Sequence, residues 1–570
     1  MIILGFTFWK GSHDSSAALV RDGKLVAAAE EERFSRVKHD GSVPFGAIEY
    51  CLREAGISMS DVDVIAYPDR PFRTGANSQI AEMRDETLET MVREGAARRR
   101  SVLHKKMLAI GERVGLARDA GMHPMVSEGF EQLGRRYGKL PPVRYYPHHL
   151  AHAAAAYLTS GFDDAAIVTI DGRGGPLSAA TWRGHGQEIE KLDEEPYTNS
   201  LGWFYRDCTR WVNLGDFGEG KLMGLAPYGS ASRALEPVNK LIDTVDAKWF
   251  KYKSLPSPEL TGFAKRADEN VLEGPYVDFA AATQHALERG YEKAVRSASG
   301  QTHSRKVCVG GGVALNCSAN GRLLAASIAD DMWLFPASGD AGLSVGAALL
   351  CARDNGELVN ERLESPYHGP AFTDDEIEST LALTAGISYS RPEKLESGVA
   401  RSIAAGCVAG WFQGRMELGP RALGNRSILA DPRTIAMRDK VNRVKRREMW
   451  RPLAPSVLAE RAADYFEIVP PSAFMLFATQ ATQLTRDVAP AIVHVDGSAR
   501  PQPVTVELNP KFYNLISLFA SLTGVPILLN TSFNDAGEPI VCTPADAVRT
   551  FLATDLDLLA IGPFVVTKQK

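Results

Sequence analysis

Two histidines spaced four residues apart carry the sharpest chemical signal in this sequence. The segment PHHLAH, residues 147–152, runs directly into an alanine-rich stretch. Alanine favours a helix starting here, and such a helix places His148 and His152 one above the other on one face. Two imidazoles in this arrangement can share a metal ion. His149 then faces elsewhere, and we expect it to cap the helix or to pack.

Two aspartates at predicted strand ends strengthen the indication of a metal site. Asp171 follows the apolar run IVTI, and Asp340 lies between a strand predicted for residues 332–335 and a helix. A set of two histidines and two aspartates suits a borderline divalent metal such as iron, manganese or zinc. Helix capping or turn formation is the alternative role for each aspartate.

Glycine-rich segments form a second group of candidate binding elements. The segment GGGVALN, residues 310–316, follows a predicted strand and precedes a helix, and a further glycine-rich stretch covers residues 215–229. Backbone N–H groups at such junctions can hold phosphate, although ordinary turns use the same residues. The sequence contains neither a P-loop nor the dinucleotide-binding fingerprint, which disfavours both of those chemistries.

Near the N-terminus, His13 directly follows the first predicted strand. An imidazole at a strand end can act as a general base, although a loop histidine is often only exposed. The unusual charged run EEERFSRVKH occupies residues 30–39. Taken alone, it predicts a solvated edge.

Basic residues dominate the chemistry of the second half. Residues 419–427 contain two arginines, and residues 438–451 contain seven lysines or arginines against Asp439 and Glu448. Arginine favours bidentate binding of phosphate, and a solvated basic helix is the alternative. The whole chain has a net charge of −5. A focused basic patch on an acidic protein, with few interleaved aromatic residues, fits a nucleotide or phosphorylated metabolite better than a nucleic acid.

Short apolar runs alternate with helical patterns along all 570 residues, which is typical of α/β organisation. Turn-forming residues interrupt this alternation at 354–372, so we place a first domain at 1–360 and a second at 373–570. Strands predicted in the second domain include residues 474–479. A charged, helix-prone stretch at 75–125 predicts a helical insertion in the first domain.

Composition excludes several classes of protein. The hydrophobic share of 45% and charged share of 23% are ordinary for a soluble globular protein. The sequence has no apolar stretch of the ~20 residues that a membrane span needs, and its first residues predict a strand rather than a signal peptide. We therefore expect a cytoplasmic protein. The seven cysteines are scattered, which favours reduced thiols.

Several motifs follow one another along the whole chain. They are EEERFSRxKH, HHLAHAAAAY, IDGRG, GKLMGLAPYG, GGVALN, GPRALGNRS, RVKxREMWRPLAPS, SARPQPV and LNTSFNDAGEPIV. This set of motifs, in this order, resembles the NodU/CmcH family of O-carbamoyltransferases. The resemblance implies an α/β protein with an N-terminal domain of the actin/hexokinase-like (ASKHA) fold, similar to the tRNA threonylcarbamoyl transferase. It also implies a C-terminal YrdC-like α/β domain.

The resemblance further implies a two-stage reaction. The YrdC-like domain uses carbamoyl phosphate and ATP, which Mg can accompany, to form carbamoyladenylate with release of phosphate and pyrophosphate. The N-terminal domain then transfers the carbamoyl group to a hydroxyl of a small-molecule acceptor, such as a natural product in antibiotic biosynthesis, and releases AMP. No nucleic acid or membrane partner is expected, and the protein is a monomer or a homodimer.

The same resemblance assigns roles to individual residues. His148, His152 and Asp340 are expected to bind a divalent metal, iron(II) by resemblance, with Asp171 as a further ligand. His13 is the expected transfer base, and Lys38 the second catalytic residue, at the nucleotide end of the transfer site. The expected cofactor-binding residues are Asp171, Gly172, Gly174, Lys221, Gly310, Gly311 and Asn316 in the first domain, and Arg421, Lys445, Arg451, Arg500, Asn530 and Ser532 in the second.

Two other functions compete with this interpretation. A tRNA-modifying carbamoyl transferase is disfavoured by the acidic balance of the chain and by the presence of both activities in one chain. A non-enzymatic ATP-binding regulatory module leaves the basic second domain without a purpose. The sequence leaves open which cations of residues 438–451 contact phosphate.

Overall fold

The computed structural model describes residues 1–9, 13–69, 124–267 and 270–569. The helical insertion predicted for residues 75–125 lies almost wholly outside this described part, which resumes with a helix beginning at Pro124. No helix in the described part is both long enough and apolar enough to cross a membrane. All seven cysteines are free thiols, as predicted.

The first half of the chain forms two five-stranded sheets and a two-stranded ribbon. Its strands are β1 (Ile2–Thr7), β2 (Ser16–Arg21), β3 (Lys24–Glu30), β4 (Val64–Tyr67), β5 (Val143–Tyr145), β6 (Asp164–Gly174), β7 (Leu177–His185), β8 (Glu188–Pro196), β9 (Ile242–Asp243), β10 (Lys251–Tyr252), β11 (Lys306–Gly310) and β12 (Asp331–Leu334). The sheet orders are β3-β2-β1-β4-β5 and β12-β11-β6-β7-β8, and β9 pairs with β10.

The two five-stranded sheets repeat one topology. In each sheet, three consecutive antiparallel strands are followed by two strands that pair in parallel. The second sheet has the same arrangement, with β6 antiparallel to β7 and parallel to β11. This duplication is the actin/hexokinase-like architecture, so the predicted fold class of the first domain is confirmed.

Helices cover and connect these sheets. They are α1 (Glu32–Ser35), α2 (Phe45–Glu54), α3 (Pro124–Tyr137), α4 (His148–Tyr157), α5 (Leu201–Trp211), α6 (Glu219–Leu225), α7 (Ala231–Leu241), α8 (Pro258–Thr261), α9 (Tyr276–Thr302), α10 (Cys317–Ala325) and α11 (Leu343–Asp354). Helix α11 packs on β1 and β2, α4 packs on β6 and β11, and the two helices pack against each other. A Cβ at Gly346 would lie 1.9 Å from the Ala151 carbonyl oxygen, so glycine is required where α11 approaches α4.

The second half of the chain forms a mixed eight-stranded sheet of order β13-β22-β21-β14-β15-β20-β16-β19, and β17 pairs with β18. These strands are β13 (Ile387–Ser390), β14 (Ala409–Phe412), β15 (Arg426–Ala430), β16 (Ala454–Leu458), β17 (Thr479–Gln480), β18 (Ser498–Ala499), β19 (Gln502–Val504), β20 (Ile527–Ser532), β21 (Leu558–Ile561) and β22 (Phe564–Lys568). The helices are α12 (Asp374–Ala382), α13 (Leu395–Ala404), α14 (Ile435–Val444), α15 (Ala462–Tyr465), α16 (Gln483–Val488), α17 (Pro510–Thr523) and α18 (Pro544–Ala553). This is the second α/β domain, expected to be YrdC-like.

The two halves are joined through their cores. The strand predicted for residues 474–479 is wrong apart from Thr479, which begins β17. Residues 474–477 instead insert as irregular chain into the hydrophobic core of the first half. A neighbouring domain can bury an apolar run that does not pair as a strand. The apolar composition of this segment therefore predicts a strand wrongly. The domain limits 1–360 and 373–570 remain a proposal.

Candidate functional site

Four side chains predicted as metal ligands come together where α4 meets the end of β6. Helix α4 begins at His148, after Pro147 in extended conformation, and His152 lies one turn further along. Asp171 lies within β6, and Asp340 begins a 3₁₀ turn that leads into α11. The potential ligand atoms of the four residues all lie within 4.8 Å of one another.

The distances within this group fit a shared cation. The two Nε2 atoms of His148 and His152 are 3.1 Å apart, and His152 Nε2 is 2.9 Å from Asp171 Oδ2. Asp340 Oδ1 lies 3.6 Å from His148 Nε2 and 3.5 Å from His152 Nε2. Two ring nitrogens that face each other and two carboxylates need either a proton or a metal ion between them. His149 points away, with Nδ1 3.0 Å from Thr169 Oγ1.

The pKa shifts of His152 and Asp171 also indicate that this group favours a bound positive charge. Burial lowers the pKa of His152, but Asp171 and Asp340 outweigh it and raise the pKa to about 9. Burial by itself raises the pKa of Asp171, yet hydrogen bonds from His148 and His152 hold it well below its ordinary value. The site therefore stabilises cationic charge between carboxylates, and neutral imidazole with carboxylate is a donor set that divalent metals accept.

The glycine-rich loops pack closely around the metal-ligand group. Gly311 has φ +91°, and a Cβ there would lie 2.2 Å from the Ile170 carbonyl oxygen. A Cβ at Gly174 would lie 2.3 Å from the His148 ring. These glycines therefore allow the backbone to approach the ligands closely. The predicted nucleotide contacts of Gly172, Gly174, Gly310 and Gly311 stay predictions.

Asn316 is engaged by the protein itself. Its side-chain oxygen accepts a hydrogen bond from the Ala319 N–H and so caps helix α10. The same side chain is paired with Gln284 at 3.0 Å. This is the capping role that residues of this type commonly fill, and the predicted contact of Asn316 with a nucleotide stays a prediction.

His13 belongs to a cluster that the sequence did not reveal. Asp14 bridges two imidazoles, at 2.9 Å from His13 Nδ1 and 2.8 Å from His39 Nδ1. The Phe217 ring stacks on His39, with centroids 4.0 Å apart, and meets the His13 ring edge-on at 5.0 Å. Asp14, His39 and Phe217 have φ values of 60°, 56° and 56°, a backbone region that residues other than glycine rarely adopt. Strained backbone of this kind concentrates at functional sites.

The charge state of His13 is set by its neighbours. Burial lowers its pKa, but the hydrogen bond to Asp14 and the charges of Asp340 and Asp171 raise it to about 9. Burial by itself raises the pKa of Asp14. The hydrogen bonds from His13 and His39 outweigh burial and hold the pKa of Asp14 well below its ordinary value. A base at His13 needs the neutral imidazole, and a cation between Asp171 and Asp340 would favour that form.

Asp14, Glu32 and His39 also lie close enough to one another to hold a metal. Asp14 is already bonded to both imidazoles, and Glu32 accepts from the His39 backbone N–H at 2.8 Å. The adjacency of Asp14 to His13 and of His39 to Lys38 is the only signal in the sequence that could have identified these residues.

A cluster of cations lies between the two domains. From the second domain come Arg421, Lys445, Arg447, Arg451 and Arg500, and from the first come Lys38 and Lys221. Lys445 is buried, the four arginines and Lys221 are partly buried, and Lys38 is exposed. Burial, followed by the charge of Arg500, lowers the pKa of Arg421 to about 9. Burial and then Arg451 lower the pKa of Arg447 to about 9. Burial also lowers the pKa values of Lys38 and Lys445.

Few carboxylates balance this cluster. Glu448 Oε1 lies 2.9 Å from Lys221 Nζ, and Glu448 Oε2 lies 3.7 Å from Arg451. Lys445 donates instead to the Ser532 carbonyl at 2.6 Å and to the Asn534 carbonyl at 2.8 Å, which are uncharged acceptors. An excess of like charges on cations that are partly removed from water is costly unless an anion enters the site. The cluster is therefore suited to binding a polyanion.

The two arginines of the segment 419–427 have different environments. Arg421 Nε is buried and makes no hydrogen bond among the described residues. Arg426 Nε also lacks a partner within the described ranges, but its Nη1 and Nη2 donate to the carbonyls of Gln413 and Pro370, and its guanidinium stacks on Phe412 at 3.6 Å. Arg421 is free to bind a ligand, whereas Arg426 holds the fold together.

The structure also separates the cations of residues 438–451. Arg446 is exposed and pairs with Asp535 at 3.2 Å, while Lys445 and Arg447 turn inward. Arg447 and Asn534 were missed by the sequence reasoning. Asn530 is buried beside the Arg421 loop, with its Nδ2 3.0 Å from Ser456 Oγ and its Oδ1 without a partner among the described residues.

Sequence comparisons place the whole chain among known relatives. Residues 3–349 match the family model of the carbamoyltransferase N-terminus, and residues 400–568 match that of the carbamoyltransferase C-terminus. The nodulation protein NolNO of Sinorhizobium fredii is 38% identical, over 98% of this chain and 79% of the relative. The nodulation protein NolO of Bradyrhizobium diazoefficiens is 40% identical, over 74% of this chain and 79% of the relative.

Solved structures show more distant likeness. HypF from T. kodakarensis aligns with 63% of this chain and 48% of its own, at 12% identity and a TM-score of 0.32. A ROK family glucokinase from Streptomyces griseus aligns with 61% of this chain and 99% of its own, at 11% identity and a TM-score of 0.27. The two family matches together cover most of the sequence, and the chain belongs to the carbamoyltransferase family.

Proposed function

We propose that this transferase is an ATP-dependent O-carbamoyltransferase that works in two stages. In the first stage carbamoyl phosphate, ATP and one water molecule give carbamoyladenylate, phosphate and pyrophosphate: water releases phosphate from carbamoyl phosphate, and an oxygen of the resulting carbamate attacks the α-phosphorus of ATP, whose bond to pyrophosphate breaks. In the second, the oxygen of a small-molecule alcohol attacks the carbamoyl carbon, the bond to the AMP oxygen breaks, and the hydroxyl proton leaves to a base. The observation that carries the proposal is the cation cluster between the two domains, in which the buried Arg421 Nε has no partner among the described residues.

The cation cluster supports the first stage. Carbamoyl phosphate and the triphosphate of ATP together bring several negative charges, and arginines that are partly shielded from water bind such oxygens strongly. Lys445 is oriented by Ser532 and Asn534, and its ammonium is fully buried. Stabilising charge that develops on leaving pyrophosphate in a water-poor site is an efficient form of catalysis.

Lys38 and Lys221 belong to the first domain, yet their charges face the second. Lys221 pairs with Glu448, and Lys38 lies close enough to Arg451 to be affected by its charge. We infer that these lysines hold the nucleotide phosphate where it passes between the two domains. A closed path of this kind would keep water from the reactive carbamoyladenylate.

The metal-ligand group supports the second stage. His148, His152, Asp171 and Asp340 would hold a divalent ion, iron(II) by resemblance, and the mutual approach of the two Nε2 atoms fits that role. Such an ion would act as a Lewis acid toward a carbonyl or phosphoryl oxygen. The protein's own part is to fix the two imidazoles through α4 and to hold Asp171 and Asp340 opposite them.

His13 is the proposed base for the acceptor hydroxyl. Asp14 fixes its Nδ1, so the opposite ring nitrogen, Nε2, is the one available to take a proton. Positioning the hydroxyl against the activated carbonyl can remove ~7–11 kcal/mol of the barrier. The acceptor is proposed to be a small-molecule alcohol, and antibiotic-like natural products and the products of nodulation proteins fall within this class.

The test is to incubate the purified protein with ATP, carbamoyl phosphate and a panel of alcohols. The proposal requires AMP and pyrophosphate as products, together with a mass shift of one carbamoyl group on an acceptor. Formation of ADP would instead indicate an ordinary ATPase or kinase. Carbamoylation of tRNA without any small-molecule product would favour the tRNA-modifying alternative.

A further inference from the structure

The charged run at residues 30–33 is buried at the junction of the two domains, so its predicted role as a solvated edge is wrong. Glu30, Glu32 and Arg33 expose only 4%, 8% and 3% of their surface. The guanidinium of Arg33 lies between the two carboxylates, with Nε 3.3 Å from Glu30 Oε2 and Nη1 2.9 Å from Glu32 Oε1. A buried ion-pair triad of this kind fixes the positions of its neighbours more than it adds to the net free energy of folding.

This triad forms hydrogen bonds with both backbone groups, the carbonyl and the N–H, of Gly419 in the second domain. Arg33 Nη2 donates to the Gly419 carbonyl at 3.0 Å, and the Gly419 N–H donates to Glu30 Oε1 at 2.8 Å. Gly419 has φ +96°, and a Cβ there would lie 2.4 Å from the Pro336 carbonyl oxygen. Glycine is therefore required at this contact, which also reaches the loop that leads to Asp340.

Gly419 in turn sets the position of Arg421. Both residues belong to the loop 419–426, which Glu417 closes. Glu417 Oε1 accepts hydrogen bonds from the backbone N–H groups of Leu423, Asn425 and Arg426 at 2.7, 2.8 and 3.0 Å. Because these hydrogen bonds hold the loop together, we expect it to move as one rigid unit. Its attachment at Gly419 therefore determines where Arg421 stands in the cation cluster.

The other side of the triad leads to His13. Glu32 Oε2 accepts from the His39 backbone N–H at 2.8 Å. His39 and His13 are both bonded to Asp14. A continuous chain of contacts, formed by the Arg33–Glu32 ion pair and by hydrogen bonds, thus runs from Gly419 through Arg33, Glu32, His39 and Asp14 to His13.

Electrostatics keep the Arg33 guanidinium charged. Burial alone lowers the pKa of Arg33, but Glu30 and Glu32 outweigh it and raise the pKa further above its ordinary value. Arg33 therefore keeps its positive charge across the pH range in which enzymes work. Removal of the guanidinium alone would leave two carboxylates buried, free the Gly419 carbonyl, and deprive Glu30, the acceptor of the Gly419 N–H, of the ion pair that holds it in place.

We propose that Arg33 is a positioning residue that holds the Arg421 loop and the His13 cluster in one arrangement and so couples carbamoyladenylate formation to carbamoyl transfer. The inference rests on the proposed function for its two stages. The contact itself is a property of the fold, so it can be tested without any activity.

The first measurement is hydrogen exchange of residues 417–426 in Arg33→Met and Arg36→Met. Arg36 is a matched control, because it lies in the same turn and binds the second domain through the carbonyls of Ile540 and Pro539 at 2.7 and 2.8 Å. The Gly419 amide should exchange faster in Arg33→Met than in the wild type or Arg36→Met. Equal protection of that amide in Arg33→Met and the wild type would overturn the proposal, whatever the activity.

The second measurement is the ratio of carbamoylated product to pyrophosphate in one reaction. We expect Arg33→Met to lower this ratio by roughly 2- to 30-fold, the size of effect seen for residues that link coupled sites. Arg33→Lys keeps the charge and should restore part of the ratio, and Arg36→Met should leave it unchanged. An unchanged ratio in Arg33→Met, with both products reduced together, would make Arg33 merely structural. To separate folding failure from uncoupling, Glu30→Gln/Arg33→Met removes a stranded carboxylate, and it should show the same lowered ratio.

A wild-type protein that releases no pyrophosphate from ATP and carbamoyl phosphate would refute the proposed function. The exchange of the Gly419 amide would still decide whether Arg33 holds the loop. The two failures are therefore distinguishable.

Discussion

Replacement of Arg421 by methionine should make the ligand-free protein more stable and the enzyme inactive. Arg421 is partly buried, its buried Nε has no partner among the described residues, and Arg500 and Arg451 are its electrostatic neighbours. Such a group costs folding free energy and is useful only when an anion is bound. Opposite effects on stability and activity distinguish a binding residue from a structural one.

The sign of the stability effect follows from the pKa. Burial and Arg500 lower the pKa of Arg421 to about 9 from an ordinary value of 12.5. The folded state thus holds this proton less tightly than the unfolded chain, and the charge lowers stability at every pH below about 9. Replacing a buried charge by an apolar side chain gains ~1 kcal/mol or more. For a domain of this size, that raises the unfolding midpoint by roughly 2–4 °C.

The effect on catalysis is larger and has the opposite sign. Loss of one charged contact to a buried phosphate costs on the order of 2–5 kcal/mol. At ~1.4 kcal/mol per factor of ten, pyrophosphate release should fall by roughly 30- to 4,000-fold. Inorganic phosphate, pyrophosphate or carbamoyl phosphate should stabilise the wild type more than Arg421→Met, since ligands stabilise only the state that binds them.

Thermal unfolding and pyrophosphate release are the two measurements, and Arg426→Met is the matched control. Arg426 lies five residues further on, at the start of β15, and is fully buried, but its guanidinium is used by backbone carbonyls and by Phe412. Its replacement should lower the unfolding midpoint. The reasoning fails if Arg421→Met is destabilised like Arg426→Met, or if it releases pyrophosphate at close to the wild-type rate.

Three further predictions concern the first domain. The double variant His148→Ala/His152→Ala should lose bound metal, measured by elemental analysis, and lose carbamoyl transfer while still releasing pyrophosphate; unchanged metal content would disprove the site. His13→Asn should still form AMP and pyrophosphate but yield roughly 10²- to 10⁴-fold less product, and parallel loss of both would exclude a role confined to transfer. Burial raises the pKa of Glu31 to about 7 against backbone hydrogen bonds from Ala47 and Gly46. The folded state therefore holds this proton more tightly than the unfolded chain, and the wild type should lose stability relative to Glu31→Gln as the pH rises from about 4.5 to about 7, measured by denaturant unfolding.

Local physical chemistry made much of the first site predictable from sequence. An alanine-rich run after His148 determines a helix, and the helical repeat then determines that His152 shares its face. Asp171 and Asp340 were recognised because each follows or precedes a predicted strand or helix. Alternating strands and helices indicated the α/β class, and the observed topology confirms it.

Only the tertiary structure decided which charged groups are buried and with whom they pair. Arg33 meets Gly419 across 386 positions of sequence, and no local pattern reports a contact of that range. The same reason separates Arg421 from Arg426, since two arginines of one loop differ only in what the rest of the fold places around them. Local residue patterns thus specified the elements and their candidate ligands, whereas desolvation and pairing, which depend on long-range packing, determined which side chains are free to act.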